Sequence, residues 1–368
     1  MHIHILLQSD TISCFSAEEE KMEIVCSGTP YEIGLHHGQK AQVQIRRCIA
    51  FYVNLFRETS KLEWAEVCKV ALKFLPSLES KWPEYVEEIR GVSKGAGFDF
   101  PTILALNVRT EIAYGLFNDG CTALSWKTDG ANGASFLAQN WDWQHEQKEN
   151  LVSLRIHQPP KPTITMITEA GIIGKIGLNS AGVGVTLNAI KAAGVDYDRL
   201  PVHLSLRRVL DSPSRDEAVA ALGNAGVSSA CHLLVADSSG GLGLECSSTD
   251  IVALRMEDGK VTHTNHYLAS HGIVQDMLWL PDSPFRLARI RELVAEAEAK
   301  GEGPTTKNLG EMFKDEKNYP GSICRAEAPG STVATLFNIV MDLKAKMATV
   351  QIGRPIHSEG VLLLDPTT

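Results

Sequence analysis

The chain has 368 residues, of which 44% are hydrophobic and 21% are charged, proportions typical of a globular protein with a large buried core. Its formal net charge is −9, and its Lys and Arg residues are scattered among acids, so nucleic acid is not expected as a partner. The sequence has no apolar run long enough to cross a membrane, and we expect no membrane partner.

Residues 1–21 are predicted to be a flexible extension, because they lack the basic segment and long apolar run of a secretory signal. Their charged E-E-E-K run ends immediately before Met22, which is an alternative start. The eight cysteines include no C-x-x-C pair, so neither a short-spaced zinc site nor a disulfide framework is expected. Because neither a secretory signal nor a disulfide framework is expected, we predict that the cysteines are free thiols and that the protein is cytoplasmic.

The hydrophobic pattern before Cys121 is helical, with apolar residues recurring at three- and four-residue intervals. It predicts helices between Tyr31 and about Lys94. A further helix is predicted over 101–117, where Pro101 suits the first turn.

After Cys121 the pattern changes to short segments rich in β-branched and aromatic residues, separated by Gly, Pro or Asn. Predicted helices interrupt these strands at 202–212, 215–226 and 283–303, and a flexible loop is expected at 301–308. Because strands and helices alternate in blocks, we predict a single α+β domain with antiparallel sheets sandwiched by helices. The predicted strands are 134–143, 151–158, 163–170, 183–190, 232–246, 250–257, 332–342 and 346–353.

Cys121 follows Gly120 at the point where the two patterns meet. If its thiol attacks the Gly120 carbonyl, the chain cleaves itself and frees the α-amino group of Cys121. An α-amine has an unperturbed pKa of about 7.7–8.0, which suits a general base at neutral pH. Glycine offers no side chain to block the attack and accepts strained backbone angles. The alternative is a buried cysteine that acts only as a small hydrophobe.

Three other polar residues are candidates for the same chemistry. In Q-N-W-D-W, strand alternation places Asp142 on one face with Asn140, where an acid can orient an α-amine. Asn265 in T-H-T-N-H offers an oxyanion donor, and Arg325 in S-I-C-R-A offers a planar cation for a thiolate or carboxylate. The alternatives are a surface acid, a turn residue and a surface ion pair.

Other site types find less support. His263 and His266 form an H-x-x-H spacing without a nearby third ligand, so no metal site is expected. The chain also lacks G-x-S-x-G, H-E-x-x-H and G-x-x-x-x-G-K-[ST] motifs, and its glycine-rich S-S-G-G-L-G-L-E stretch does not fit G-x-G-x-x-G.

Nine motifs in order, from about Met22 to Arg354, resemble the acyl-coenzyme A:6-aminopenicillanic-acid acyltransferase (isopenicillin-N acyltransferase) family of N-terminal-nucleophile (Ntn) hydrolases. The matching stretches are G-T-P-Y-E-I-G at 28–34, N-V-R-T-E-I-A-Y-G at 107–115, D-G-C-T at 119–122, Q-N-W-D at 139–142, I-T-E-A-G-I-I-G-K-I-G at 167–177, N-S-A-G-V at 179–183, H-T-N-H at 263–266, N-Y-P-G-S-I-C-R-A at 318–326 and A-T-L-F-N-I-V-M-D at 334–342.

The resemblance implies a four-layer αββα sandwich and a precursor that cleaves itself between Gly120 and Cys121. A mostly helical small subunit, residues 22–120, and a large subunit, residues 121–368, then stay together as one integrated domain. The family's catalytic residues fall on Cys121, Asp142, Asn265 and Arg325, and a functional serine on Ser247. No cofactor is implied, and acyl-CoA is a candidate substrate.

Three departures from the penicillin-forming members bear on the substrate. Trp143-Gln144 replaces an aromatic pair, and Leu124-Ser125 stands where an aromatic follows the nucleophile. These positions line the substrate pocket in the family, so a penam acceptor is an open question. The tail D-P-T-T differs from a peroxisomal S-K-L-type signal, and peroxisomal import is not expected.

The sequence therefore predicts an N-terminal-cysteine enzyme that transfers an acyl group through a Cys121 thioester. The acceptor is a small amine, penam-like or another secondary-metabolite amine. Two alternatives stay open: an amide hydrolase of the bile-salt or penicillin V amidase type, and an uncleaved relative that only binds.

Overall fold

The computed structural model describes residues 23–113, 120–130, 133–272, 274–277 and 280–368. The predicted extension at 1–21 and the end of the helix predicted over 101–117 lie outside these residues. In the described ranges the α-helices are α1 Pro30–Lys40, α2 Gln42–Thr59, α3 Trp64–Ala71, α4 Leu75–Lys81, α5 Pro83–Ala96, α6 Phe100–Asn107, α7 Arg109–Ala113, α8 Val202–Leu210, α9 Arg215–Ala225, α10 Ser283–Ala299 and α11 Thr306–Met312.

The described strands form two sheets. The larger has the order β1-β4-β5-β6-β7-β8-β9-β10, and the smaller has the order β11-β2-β3-β12-β13-β14. Their bounds are β1 Glu23–Ser27, β2 Gly120–Lys127, β3 Ser135–Gln144, β4 Leu151–His157, β5 Ile164–Glu169, β6 Ile176–Asn179, β7 Gly184–Ala189, β8 Cys231–Asp237, β9 Gly240–Cys246, β10 Ile251–Leu254, β11 Lys260–His263, β12 Val333–Asp342, β13 Met347–Ile352 and β14 Gly360–Leu364.

The two sheets pack against each other through β2 and β3 on one side and β7 and β9 on the other. Helices α8 and α9 contact the larger sheet, and α10 and α11 contact the smaller one. This arrangement confirms the predicted α+β architecture of two sheets between helices. Neighbouring strands are antiparallel except β1 and β4, which pair in parallel.

Two local predictions were wrong. The helix predicted over 101–117 is broken at Val108, whose φ of −119° and ψ of 20° are not helical. The loop predicted over 301–308 already contains the start of α11, because the Thr305 hydroxyl accepts a hydrogen bond from the Asn308 N–H at 3.0 Å and caps the helix. The break at Val108 was missed because hydrophobic periodicity does not reveal backbone dihedral angles. The start of α11 was missed because Thr305 was not recognised as a helix N-cap.

Helices α1 and α5 pack backbone to backbone through a Gly-x-x-x-Gly spacing on each helix. A Cβ added at Gly34 would lie 1.9 Å from the Glu88 carbonyl oxygen, and one added at Gly91 would lie 2.1 Å from the Tyr31 carbonyl oxygen. Any side chain at these positions would force the helices apart. The two glycine pairs therefore hold α1 against α5 within the helical block that precedes Cys121.

The main hydrophobic core draws on both parts of the chain, from Ile24 and Ile112 on one side to Trp141 and Leu364 on the other. Six described cysteines are free thiols: Cys26, Cys48, Cys68, Cys231, Cys246 and Cys324. Among the described residues, no helix has the length and apolar character needed to span a membrane.

Candidate active site

Gly120 and Cys121 open strand β2, which lies between the edge strand β11 and β3 in the smaller sheet. In the register with β3, Gly120 lies opposite Asp142 and Cys121 lies opposite Trp141. Cys121 is 1% exposed and belongs to the core between the sheets, together with Trp141 and Trp143. Strand alternation places Asp142 on the other face, as predicted.

The backbone of Cys121 is held on both sides by side chains from distant parts of the chain. Its N–H donates to the Asn265 Oδ1 at 2.9 Å. Its carbonyl oxygen accepts from the Arg286 Nη1 at 2.6 Å. Asn265 reaches this position because it follows β11, which pairs with β2. The Cys121 backbone is therefore fixed by hydrogen bonds at both its N–H and its carbonyl oxygen.

Asn265 is fully buried, and its amide orientation is determined by its neighbours. The Oδ1 also accepts from the Arg286 Nη2 at 2.8 Å, whereas the Nδ2 donates to the Ala189 carbonyl oxygen at 3.0 Å. A backbone N–H and a guanidinium can only donate, so the atom that faces both must be the oxygen. The four contacts of Asn265, including its N–H to the Ser283 Oγ at 2.8 Å, exceed those of a simple turn residue.

Asp142 is buried rather than on the surface, so the alternative of a surface acid was wrong. The Thr335 hydroxyl donates to its Oδ1 at 2.7 Å, and the Arg325 Nε donates to its Oδ2 at 3.3 Å. Burial raises the pKa of Asp142 above its usual range, and this effect outweighs the opposing influence of Arg325.

Asp282 joins the two arginines of the site. It accepts from the Arg286 Nε at 2.6 Å and forms a second ion pair with the Arg325 Nη2. Burial alone would raise the pKa of Asp282, but the two guanidinium groups hold it below its usual value. An alternating chain of charges thus runs from Asp142 through Arg325 and Asp282 to Arg286.

Gly120 has a steric reason to be glycine. A Cβ at this position would lie 2.8 Å from the Asp142 Oδ2 and 3.0 Å from the Arg325 Nε. The carboxylate and guanidinium therefore press against the residue whose carbonyl would be attacked. Crowding by these two side chains therefore accounts for a glycine at this position.

The residues predicted to bind substrate lie in four different surroundings. Trp143 is buried, 6.5 Å from the Trp141 ring and 6.3 Å from the Phe51 ring. Gln144 ends β3 opposite Val333 and is partly exposed.

Leu124 lies on the face of β2 opposite to Cys121, and packs in a cluster with Ile290 and Leu309 of the helical layer. Ser247 bonds Thr249 at 3.1 Å and Asp250 in the turn after β9. The structure thus brings together the four residues predicted as catalytic. The substrate-binding roles of Trp143, Gln144, Leu124 and Ser247 stay predictions.

Sequence reasoning missed Arg286, Asp282 and Thr335. The one local signal was the i,i+4 spacing of Asp282 and Arg286 at the start of a predicted helix, and that spacing is common in ordinary surface pairs. His263, considered as a metal ligand, instead contacts the Glu245 Oε1 through its Nε2 at 2.8 Å. The described residues contain no group of His, Cys, Asp and Glu arranged to hold a metal ion.

Comparison with known proteins identifies a matching family and a relative. Residues 127–357 match the model of the family described as acyl-coenzyme A:6-aminopenicillanic acid acyl-transferase. The chain is 42% identical over 349 residues to the acyl-coenzyme A:6-aminopenicillanic-acid-acyltransferase 40 kDa form of Emericella nidulans, covering 93% of this chain and 96% of that protein.

Two solved structures are also similar. One is a Caenorhabditis elegans N-acylethanolamine-hydrolyzing acid amidase ortholog, 17% identical over 61% of this chain and 93% of that chain, with a TM-score of 0.45. The other is penicillin V acylase from Agrobacterium tumefaciens, 16% identical over 67% of this chain and 87% of that chain, with a TM-score of 0.41. On the family match and the Emericella relative, the chain belongs to the acyl-coenzyme A:6-aminopenicillanic acid acyl-transferase family of enzymes.

Proposed function

We propose that the chain cleaves itself between Gly120 and Cys121, and that the new N-terminal cysteine transfers an acyl group to a small amine. The observation that carries this proposal is the fixed Gly120–Cys121 unit, with Asn265 and Arg286 on the cysteine backbone and Asp142 and Arg325 against the glycine. The Emericella relative, an acyl-coenzyme A:6-aminopenicillanic-acid-acyltransferase, supports an acyl-CoA donor and an acceptor related to 6-aminopenicillanic acid.

Self-cleavage needs no group from outside except water. The Cys121 sulfur attacks the Gly120 carbonyl, the peptide C–N bond breaks, and the glycyl group moves to sulfur as a thioester. The departing nitrogen takes up the thiol proton and becomes the α-amino group. Water then hydrolyses the thioester, which releases the Gly120 carboxylate and restores the thiol.

Turnover repeats this chemistry on an external acyl donor. The α-amine of Cys121 accepts the thiol proton, and the sulfur attacks the donor carbonyl while the Asn265 amide stabilises the oxyanion. The leaving group takes the proton back. The acceptor amine then attacks the thioester, the C–S bond breaks to give an amide, and the proton lost by the amine restores the Cys121 thiol.

Contacts around α7 support the proposal that residues 22–120 and 121–368 stay together after cleavage. Arg109 forms a buried ion pair with Glu169. The Glu111 Oε1 accepts from the Val202 N–H at 2.7 Å. Both contacts join the segment before the cleavage site to the segment after it, and both are far from water. Separating the two parts would break both contacts and expose the hydrophobic core that the parts share, which favours their staying together.

The test is intact-mass analysis of purified protein, followed by an acyl-transfer assay. The wild type is expected as two fragments, 1–120 and 121–368, and Cys121→Ala as one uncut, inactive chain. Cys26→Ala is the matched control, because Cys26 is an equally buried thiol outside the site. With an acyl-CoA and a panel of small amines, amide is expected in excess over free acid.

Two outcomes would contradict the proposal in different ways. If Cys121→Ala still appears as two fragments, an outside protease cuts the chain and self-cleavage is refuted. If the cut wild type releases only free acid at every amine concentration, the enzyme is an amide or thioester hydrolase rather than a transferase.

A further inference from the structure

Arg286 donates hydrogen bonds to Cys121, Thr122 and Asn265 at the proposed reaction site. Its fourth partner is Asp282, which also pairs with Arg325. It donates from Nη1 to the Cys121 carbonyl oxygen and to the Thr122 Oγ1, at 2.6 and 3.1 Å. It also donates from Nη2 to the Asn265 Oδ1 at 2.8 Å and from Nε to the Asp282 Oδ2 at 2.6 Å. All three guanidinium nitrogens are therefore engaged in one rigid plane.

We infer that Arg286 is a positioning residue for the reaction, which sets the direction of the Asn265 amide and holds the Cys121 backbone beneath it. The inference rests on the proposed function, because it concerns the same nucleophile and the same oxyanion donor. Arg286 acts through Asn265 and Cys121, and needs no contact with substrate.

The argument begins with the amide of Asn265. An Asn side chain can turn over and exchange its oxygen and nitrogen unless its neighbours distinguish them. Arg286 helps to remove this freedom, together with the Cys121 N–H and the Ala189 carbonyl oxygen, since a guanidinium donates only and must face the amide oxygen. Of the two Nδ2 hydrogens, one goes to the Ala189 carbonyl oxygen. The other is the donor that oxyanion stabilisation requires.

The same guanidinium ties the donor to the nucleophile. Its Nη2 bonds the Asn265 Oδ1 and its Nη1 bonds the Cys121 carbonyl oxygen. The distance between the Asn265 amide and the Cys121 backbone is therefore fixed by a single rigid group. When the Gly120–Cys121 bond breaks, the Cys121 nitrogen loses its covalent link to Gly120. The Cys121 carbonyl stays bound to Arg286, and the new α-amine keeps its place beside the Asn265 oxygen.

Burial argues against a purely stabilising role for Arg286. The side chain is fully buried, and removing a guanidinium from water is expensive. Well-packed apolar residues often replace such buried charges without loss of stability. The position of the Arg286 charge beside Cys121 is therefore better explained by the arrangement of Cys121 and Asn265 that it maintains than by a contribution to stability.

The experiment compares Arg286→Met and Arg286→Lys with Arg291→Met. Arg291 lies on the same helix, is exposed, and donates to the Thr262 hydroxyl at 2.9 Å, so its substitution removes a charge from α10 outside the site. Self-cleavage is followed by intact mass over time. On cut protein, kcat and KM are measured per Cys121 site, titrated with iodoacetamide, and the folded fraction is measured by urea unfolding.

Arg286→Met is expected to slow cleavage and to lower kcat per titrated site by about 10²-fold, the effect of a misplacement of about 1 Å, with KM nearly unchanged. Arg286→Lys keeps the charge but not the planar fork, so its kcat should lie between those of Arg286→Met and the wild type. Arg291→Met should match the wild type.

The inference is overturned if Arg286→Met, once folded and cut, has the wild-type kcat per site, or if it loses activity only in proportion to its folded fraction. If Arg286→Met does not fold, Arg286→Lys decides: wild-type cleavage and kcat refute the inference, and a lower kcat with unchanged KM supports it. A wild type that is neither cut nor active would refute the proposed function instead, which keeps the two failures distinct.

Discussion

Replacing Asn265 separates the oxyanion role of this side chain from its part in the fold. Asn265→Ala removes the acceptor for the Cys121 N–H and for Arg286, and the donor to the Ala189 carbonyl. Counting about 1 kcal/mol for each neutral hydrogen bond and about 1.5–3 kcal/mol for the one to the charged arginine, the free energy of unfolding should fall by about 3–5 kcal/mol. Asn265→Asp keeps both bonds to the oxygen, but it replaces the Nδ2 donor with an acceptor that faces the Ala189 carbonyl oxygen, and it adds a negative charge that the bound Arg286 guanidinium offsets.

The aspartate variant should therefore lose less stability, about 1–3 kcal/mol for a buried Ala189 carbonyl left without its donor. Its kcat should still fall by about 10²–10³-fold, equivalent to about 2.7–4 kcal/mol, because an oxyanion donor is lost. Activity and stability then change in different proportions in Asn265→Ala and Asn265→Asp. Urea unfolding gives the stabilities, and an acyl-transfer assay on cut protein gives kcat.

The matched control is Asn179→Ala. Asn179 is also a fully buried amide, which accepts from the Ala181 and Val183 N–H groups and donates to the Leu210 and Ser212 carbonyls. Its loss should lower stability without changing the kcat of folded enzyme. The reasoning is refuted if Asn265→Asp keeps the wild-type kcat, or if Asn179→Ala lowers kcat as much as Asn265→Ala does.

Two further predictions concern Gly120 and His37. Gly120→Ala should slow self-cleavage about 10-fold or more, because the new Cβ displaces the Asp142 carboxylate and the Arg325 guanidinium. The control is Gly223→Ala, which lies in open space on α9 and should be cleaved at the wild-type rate. Equal cleavage rates for the two variants would contradict the crowding argument. Burial, aided by the Arg207 charge, lowers the pKa of His37 to about 4. The contribution of neutral His37 to the free energy of unfolding is therefore complete above about pH 6.5 and is lost as the pH falls through 4, by about 3 kcal/mol in all. His37→Gln keeps an acceptor for the Gly171 N–H but cannot titrate, so urea unfolding between pH 7 and 4 should show a smaller loss than in the wild type; identical slopes would refute this assignment.

The sequence alone determined which reactive side chains are present and the order of the helical and strand-rich parts of the chain. Helical periodicity before Cys121 and strand-like segments after it were sufficient for the α+β class, because both reflect which side chains are buried along a local element. Strand alternation likewise predicted that Asp142 and Trp141 occupy opposite faces of β3, since the side-chain period of a strand does not depend on its partners. The four catalytic assignments depended on the family resemblance rather than on spacing.

Tertiary structure decided which side chains meet at Cys121. Arg286 is 165 positions away in sequence, and the only local sign of it was an ordinary i,i+4 pair with Asp282. Gly120 looked like a residue chosen for backbone freedom, yet it is crowded by two side chains from β3 and a distant loop. Such contacts depend on how α10 packs against β2 and how β2 pairs with β3. No local pattern reports them, because a hydrogen bond between distant residues has no periodicity in either segment.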